Sequence, residues 1–476
     1  MGLDLLLVDP AVGLTKRYDE NFGACGNRAP SWGLCFIAAV ARQEGFKVAI
    51  VDENIPAEAA RLRSVLRDDR PRIVGITAAT LSVSDAARVA SAAKSENPGC
   101  LTVLGGAHVS SVPETTLERY AQFDVGVLGE GERSMLDLLR AGDFGPKRLA
   151  AMPGLAFRSG GGVVRSPRRE IMPSLGEMPL PAMDLLPDLS RCYTPPAFSV
   201  SRAPALGLVV TRGCPGECTF CSNNLIHGRR TRYHSVDFVL EWIKRLRVDY
   251  GIREIQFMDD TFTANRAYIK EFCERLIRGR WGLRWSCATR ITTVDRETLS
   301  AMRRAGCWQV CYGIESGDPD MLEKIQKRVG LERIRETVST TRELGISMKG
   351  FFIMGFPGET ERSLSRTERL ALELPLDDLS VSLFVPYPGT AAYDEILADP
   401  SLGEFHEDWD NMTSLRVNFV PRGFTRLELL RRSRTLFRRF YFRPRIVKSY
   451  LARLSSPAAI PVFARGVWSL LKTRSP

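Results

Sequence analysis

The sequence predicts an α/β protein: an N-terminal doubly wound, Rossmann-like domain, then a second run of six strand–helix units, then a helical basic tail. Three observations carry this expectation. Short apolar runs alternate with helical patterns over residues 3–140 and again over 206–385, and strict alternation is the signature of parallel sheets covered by helices. Residues 146–200, rich in Pro, Gly and charge, separate the two runs. From Arg422 to Pro476 there are 14 Lys/Arg and one acid, so the tail carries +13 while the rest of the chain carries −2. The expected boundaries are therefore 1–145, a linker 146–200, a core domain 201–400 and a tail 401–476.

The bulk numbers limit the classes. With 476 residues, 44% hydrophobic and 25% charged, the composition is that of a soluble globular chain of two or three domains. Eleven cysteines without a secretory signal suit a reducing cytoplasm. No apolar run reaches transmembrane length. The expected location is cytoplasmic, with peripheral contact at a membrane as an extension.

In the first unit, strands are expected at 3–8, 48–51, 73–77, 101–104 and 125–128, with helices at 32–45, 56–67, 83–95, 112–120 and 131–140. Ligands in such folds sit at the carboxyl ends of strands. Three polar, Gly-rich turns fall there: Gly75–Thr80 with Thr77, Gly105-Gly106-Ala107-His108, and Gly129-Glu130-Gly131-Glu132. In the second unit, strands are expected at 206–211, 253–258, 284–288, 308–313, 347–354 and 379–385. Six units are too few for a closed eight-fold barrel.

The chemistry gathers behind the first of these strands. Cys214, Cys218 and Cys221 are spaced C-x3-C-x2-C on the loop leaving it. Closely spaced thiolates converge on a soft metal centre, and cysteine thiolates hold iron–sulfur clusters. Three thiols on a four-iron cluster leave one iron open to another ligand. A zinc site would need a fourth ligand, such as His227 or His234.

This loop, with Phe220 before its last cysteine, resembles that of the radical S-adenosylmethionine (radical SAM) enzymes. The resemblance implies a 4Fe-4S cluster on the three cysteines, with S-adenosylmethionine on the open iron. It also implies an open six-unit partial (β/α) barrel, with further contacts at the strand ends. These are Asp259 or Asp260 in Phe257-Met-Asp-Asp-Thr-Phe262, Arg290 in Ala288-Thr-Arg290, Glu315 in Tyr312-Gly-Ile-Glu-Ser-Gly317, and Gly355 in Phe352–Glu359. The three turns of the first unit, placed ahead of the cysteine loop, resemble those of the cobalamin-binding domain of this family. That implies cofactor contacts from Thr77, Gly105, Gly106, His108, Gly129, Glu130 and Gly131. The Asp-x-His-x-x-Gly motif that ligates cobalt is absent, so cobalamin without a protein histidine on cobalt is expected.

Cys287, Cys307 and Cys311 lie on or beside expected strands and read as small buried hydrophobes. Cys25 and Cys35, in a Gly-rich loop of the first domain, are further candidates to approach the upper face of cobalamin. In the tail, Leu427, Leu430, Phe437, Phe440 and Tyr441 interleave with arginines. That pattern suits either a membrane-surface helix or a cap on the barrel. Nothing resembles a base-reading module, so nucleic acid is not an expected partner.

The resemblance implies methyl transfer to an unactivated carbon of a small-molecule or lipid-like, isoprenoid substrate through a 5′-deoxyadenosyl radical. Ferredoxin or flavodoxin would be the electron donor. A cobalamin-bearing cyclase or rearrangement enzyme is the alternative.

Overall fold

Each apolar run of the first unit forms one strand of a single sheet. Strands β1 (Leu5–Asp9), β2 (Val48–Asp52), β3 (Ile73–Thr77), β4 (Leu101–Gly105) and β5 (Val125–Val127) are parallel, in the order β2-β1-β3-β4-β5. The structure, a computed structural model, describes residues 2–13, 16, 28–196 and 199–453. Leu5, Leu6, Leu7 and Val8 are wholly buried, as a strand covered on both faces requires. Helices Trp32–Gln43 and Gly131–Arg140 cover one face and Val83–Glu96 the other. The chain leaves β1 toward β2 on one side and returns to β3 on the other. The crevice at the carboxyl ends of β1 and β3 is thus the topological switch point where such sheets bind ligands.

The segment read as a linker is partly sheet. β6 (Leu155–Ser159) adds antiparallel to β5, and β7 (Gly162–Arg165) antiparallel to β6, making seven strands. Gly160 and Gly161, at φ 62° and 86°, form a two-residue hairpin turn. Such turns need positive φ at both positions, so glycines that suggest a linker in sequence here close a hairpin.

The second unit follows its pattern closely. β8 (Ala205–Leu208) is followed by the short antiparallel pair β9 (Thr211–Arg212) and β10 (Arg232–Tyr233). Then come β11 (Glu254–Phe257), β12 (Arg284–Thr289), β13 (Cys307–Glu315), β14 (Ser347–Met354) and β15 (Asp378–Leu383). β8 and β11–β15 lie parallel in chain order, and the two outermost strands, β8 and β15, are not paired with each other. This is the open half-barrel. Its helices begin on capping side chains: Ser235 accepts from Phe238 N, Asn265 from Tyr268 N, Asp295 from Thr298 N and Asp318 from Met321 N. Each satisfies a donor that the first helical turn leaves free.

The halves share a core. Trp32 Nε1 donates to Gly207 O at 2.8 Å, and its ring meets Trp242 edge-on at 4.9 Å. Beyond a small hairpin of β16 (Gly403–Phe405) and β17 (Phe419–Pro421), the tail helix Arg426–Tyr441 caps the barrel. Leu429, Leu436 and Phe440 are buried, Tyr441 Oη bonds Leu379, and Arg432 pairs with Glu368 at 3.1 Å and with Glu361. Of the five apolar side chains singled out in the tail, only Leu427 is exposed as a large hydrophobe. Residues 454–476 lie outside the described residues, as does Cys25. Among the described residues no helix is long and apolar enough to cross a membrane.

Candidate functional site

At the switch point the first sheet opens into a cavity of about 370 Å³. Thr77, Gly105, Gly106, Gly129, Glu130 and Gly131 all line it, as the sequence anticipates. Glycine is required differently along this wall. A Cβ on Gly106, at φ 99°, would stand 2.7 Å from Ala78 O, so backbone packing alone excludes a side chain there. A Cβ on Gly105 would meet nothing closer than Ile76 O at 4.0 Å; its missing side chain is room in the cavity. The opposite wall comes from the second unit: Val209, Arg212, Ile226 and His227. A cradle floored by glycine and closed by both halves lets a cofactor approach the backbone closely.

His108 does not line this cavity. It is fully buried, with its ring 4.3 Å from Trp409 and Nδ1 3.2 Å from Thr80 Oγ1. Burial, and then Arg119, depress it to about 4. The cavity's histidine is His227. Glu130 is also not a free contact: its carboxylate is taken by Arg232 at 2.5 Å, His227 at 3.0 Å and Arg212 at 3.6 Å. Burial works against ionisation, but His227, Arg232 and Arg212 hold that carboxyl down to about 2. Glu132 pairs with Arg212 at 2.5 Å.

Arg212 leads into the cysteine loop. Cys218 is buried, Cys214 half-buried and Cys221 exposed. Polar groups surround the sulfurs: Thr261 Oγ1 lies 3.2 Å from Cys214 Sγ, Gly216 N donates to Cys214 Sγ at 3.4 Å, and Arg290 Nη1 donates to Cys218 Sγ at 3.3 Å. Among the described residues no three His, Cys, Asp or Glu side chains close on one metal ion. Donor type, donor number and surroundings fit a cluster with one iron left open. His234, the other candidate for a zinc ligand, is stacked between Phe36 and Phe238, and burial followed by Arg212 depresses it to about 3.

The half-barrel end brings most of the remaining candidates together. Asp259 turns inward: its Oδ1 accepts from Val210 N at 2.8 Å and Thr211 N at 2.5 Å, fixing the approach to the cysteine loop. Burial raises this carboxyl to about 7, against the pull of those amides. Asp260 is exposed, within electrostatic reach of His227. Arg290 joins Cys218 to Lys327 O, which accepts from its Nη2 at 2.7 Å. Glu315, at φ 69°, pairs with Lys327 Nζ at 2.8 Å, and both side chains are buried. Phe220 lies 5.5 Å from Phe356. Gly355 is set apart; a Cβ there would face Leu429 of the tail helix.

Lys327, Arg212 and Arg232 are residues that sequence reasoning missed, and His227, considered there only as a zinc ligand, lines the cavity instead. Arg212 directly precedes Gly213-Cys214, which is a usable signal, whereas Lys327 has none outside its fold. Cys35 is buried on helix Trp32–Gln43 and its thiol is pushed up by burial. Cys287 and Cys311 are similarly shifted, Cys311 to about 12.

Comparison with known proteins agrees with this geometry. Residues 208–371 match the Radical SAM superfamily and residues 22–139 the B12 binding domain. The chain is 32% identical, over 93% of its length and 93% of the relative, to a protein of Pyrococcus horikoshii named an uncharacterized methyltransferase. It is 28% identical, over 87% of its length and 74% of the relative, to the anaerobic magnesium-protoporphyrin IX monomethyl ester cyclase of Rubrivivax gelatinosus. Its fold superposes with a TM-score of 0.66 and 20% identity on the radical S-adenosylmethionine methyltransferase TsrM from Kitasatospora setae, solved with cobalamin and a [4Fe-4S] cluster bound. That alignment covers 86% of this chain and 80% of TsrM.

Proposed function

The chain belongs to the cobalamin-binding radical SAM enzymes, and from that premise we propose that it is a methyltransferase acting on an unactivated carbon of a small-molecule substrate. The observation that carries the reading is the cavity wall. The glycine floor of the first sheet is closed by Arg212 and His227, which flank the cysteine loop, so the two cofactor sites adjoin. When bound, the cofactors supply a low-potential electron, a 5′-deoxyadenosyl radical that takes hydrogen from carbon, and a transferable methyl group.

The chain's own residues hold and orient. Cys214, Cys218 and Cys221 hold the cluster, and Arg290 places a fixed cation beside Cys218. Lys327 and Glu315 offer a charge pair to the carboxylate and hydroxyls of S-adenosylmethionine, with Asp260 and Phe220 as further contacts. Thr77, Gly105, Gly106, Gly129 and Gly131 receive cobalamin, while the Glu130 carboxylate is held by Arg232, His227 and Arg212. A ferredoxin or flavodoxin, acidic in character, would approach Cys221, where Arg229 and Arg230 are exposed.

Anaerobic turnover with S-adenosylmethionine labelled in its methyl group, offered small-molecule extracts, tests the reaction. Label in a product supports methyl transfer. An unlabelled, dehydrogenated or ring-closed product would favour the cyclase alternative, which the Rubrivivax relative suggests.

A lipid-like or isoprenoid substrate with peripheral membrane contact is the finer reading. It rests on exposed Phe442 and Val447 beside basic residues of the tail. Sedimentation with anionic vesicles should show binding that falls as salt rises. Protein that stays in the supernatant at low salt would remove this reading.

A further inference from the structure

The acidic turn Gly129–Glu132 touches two things at once. One side lines the cavity; the other is gripped by cations from both ends of the cysteine loop. Arg212 lies two residues before Cys214, while His227 and Arg232 lie beyond Cys221. The loop's ends are also tied to each other, since Cys214 N donates to Gly228 O at 3.4 Å. Arg232 is fixed further by Met172 O at 3.0 Å and His227 O at 3.2 Å. The Glu130 side chain is 8% exposed, Arg232 3%, Glu132 4% and Arg212 10%.

Buried ion pairs are a poor route to stability, because desolvation offsets most of their attraction; their best-attested use is to fix register between parts. Here the parts are the cavity floor and the cluster loop. None of the three cysteines lines the cavity, so a ligand in it reaches them only through an intermediary. We propose that Glu130 is a positioning residue that transmits occupation of the cavity to the cysteine loop, holding the cobalamin site and the cluster site in one register. This rests on the cofactor reading above but assigns the carboxylate a task other than contacting the cofactor.

Hydrogen exchange on full-length, cluster-loaded protein, with and without hydroxocobalamin, tests it. In the native protein, hydroxocobalamin should slow exchange over residues 105–132 and also over 213–222. In Glu130→Gln the slowing over 105–132 should persist, while that over 213–222 falls at least fivefold. Arg232→Gln, which breaks the same contact from the other side, should behave alike. If 213–222 responds equally in both variants, Glu130 does not carry the coupling. Should neither variant fold, the native protein still decides: a response at 105–132 without one at 213–222 overturns the proposal. No response at 105–132 would instead sink the cobalamin reading itself.

Discussion

At the carboxyl ends of β3, β4 and β5 five glycines, Gly75, Gly105, Gly106, Gly129 and Gly131, line a cavity of about 370 Å³ that apolar side chains such as Trp32, Phe36 and Met135 complete. At the ends of β11–β14, polar and charged side chains are already engaged: Arg290 with Cys218 Sγ and the Lys327 carbonyl, Lys327 with Glu315, Asp259 with two backbone amides. Both sheets are parallel and both place their site where the strands end. One makes room by omitting side chains; the other makes a field by pairing them. The difference implies opposite sensitivities. The first site should fail when atoms are added, the second when they are removed.

The largest effect tests the second site. Replacing Cys214, Cys218 and Cys221 together with alanine should reduce iron and sulfide in the reconstituted protein to background, from about four of each. It should also abolish 5′-deoxyadenosine formation. Cobalamin binding should survive, because none of these three cysteines lines the glycine cavity. Continued cleavage of S-adenosylmethionine by this variant would refute the assignment of the loop.

The next effect tests the first site by addition. Gly105→Leu has room for its Cβ but extends the side chain into the cavity. Cobalamin affinity should fall at least about tenfold, or about 1.4 kcal/mol, with iron content unchanged. Unaltered affinity, read by equilibrium dialysis, would mean that the cavity is not the cobalamin site.

Breaking a pair comes third. Lys327→Met leaves Glu315 buried without its partner, which should cost about 3 kcal/mol in anaerobic denaturant unfolding. Adding Glu315→Gln should restore most of that stability without restoring S-adenosylmethionine cleavage. A double variant as unstable as the single one would show that the charges act separately.

The same contrast governs how much could be read in the sequence. Glycine turns and cysteine spacing are local, so Gly105, Gly106, Gly129 and the three thiols are legible, as are nearly all the parallel strands. Pairing is not local. Lys327 meets Glu315 twelve residues away through a left-handed turn at Gln326 and Arg328, whose φ values are 53° and 54°. Glu130 meets Arg232 across 102 residues. His108 looks like a turn histidine in sequence, and only packing shows it filling a core against Trp409. The Gly160-Gly161 hairpin was hidden because the same glycines serve linkers and tight turns. The tail's apolar stripe shows neither a lipid nor a protein preference until β15 and helix Glu361–Glu373 are placed beneath it.

The smallest effect concerns Asp259, where the two modes of construction meet. Its carboxyl is buried, with Oδ1 accepting from two backbone amides and the Thr211 side chain adding to their pull toward the ionised form. Burial outweighs the two amides and raises it from 3.8 to about 7. The native state therefore keeps its proton where the unfolded chain has lost it, between about pH 4 and 7. Fewer protons on the unfolded chain mean that stability falls as pH rises through that window, then levels above it. Asn mimics the protonated form and can still accept from Val210 N and Thr211 N. Asp259→Asn should therefore be near neutral at pH 5 and stabilising by the order of 1 kcal/mol at pH 8, measured by denaturant midpoints at both values. If the variant is equally destabilised at the two pH values, the ionised carboxylate is what holds the approach to the cysteine loop. Asp259 would then belong with the charge pairs of the second site.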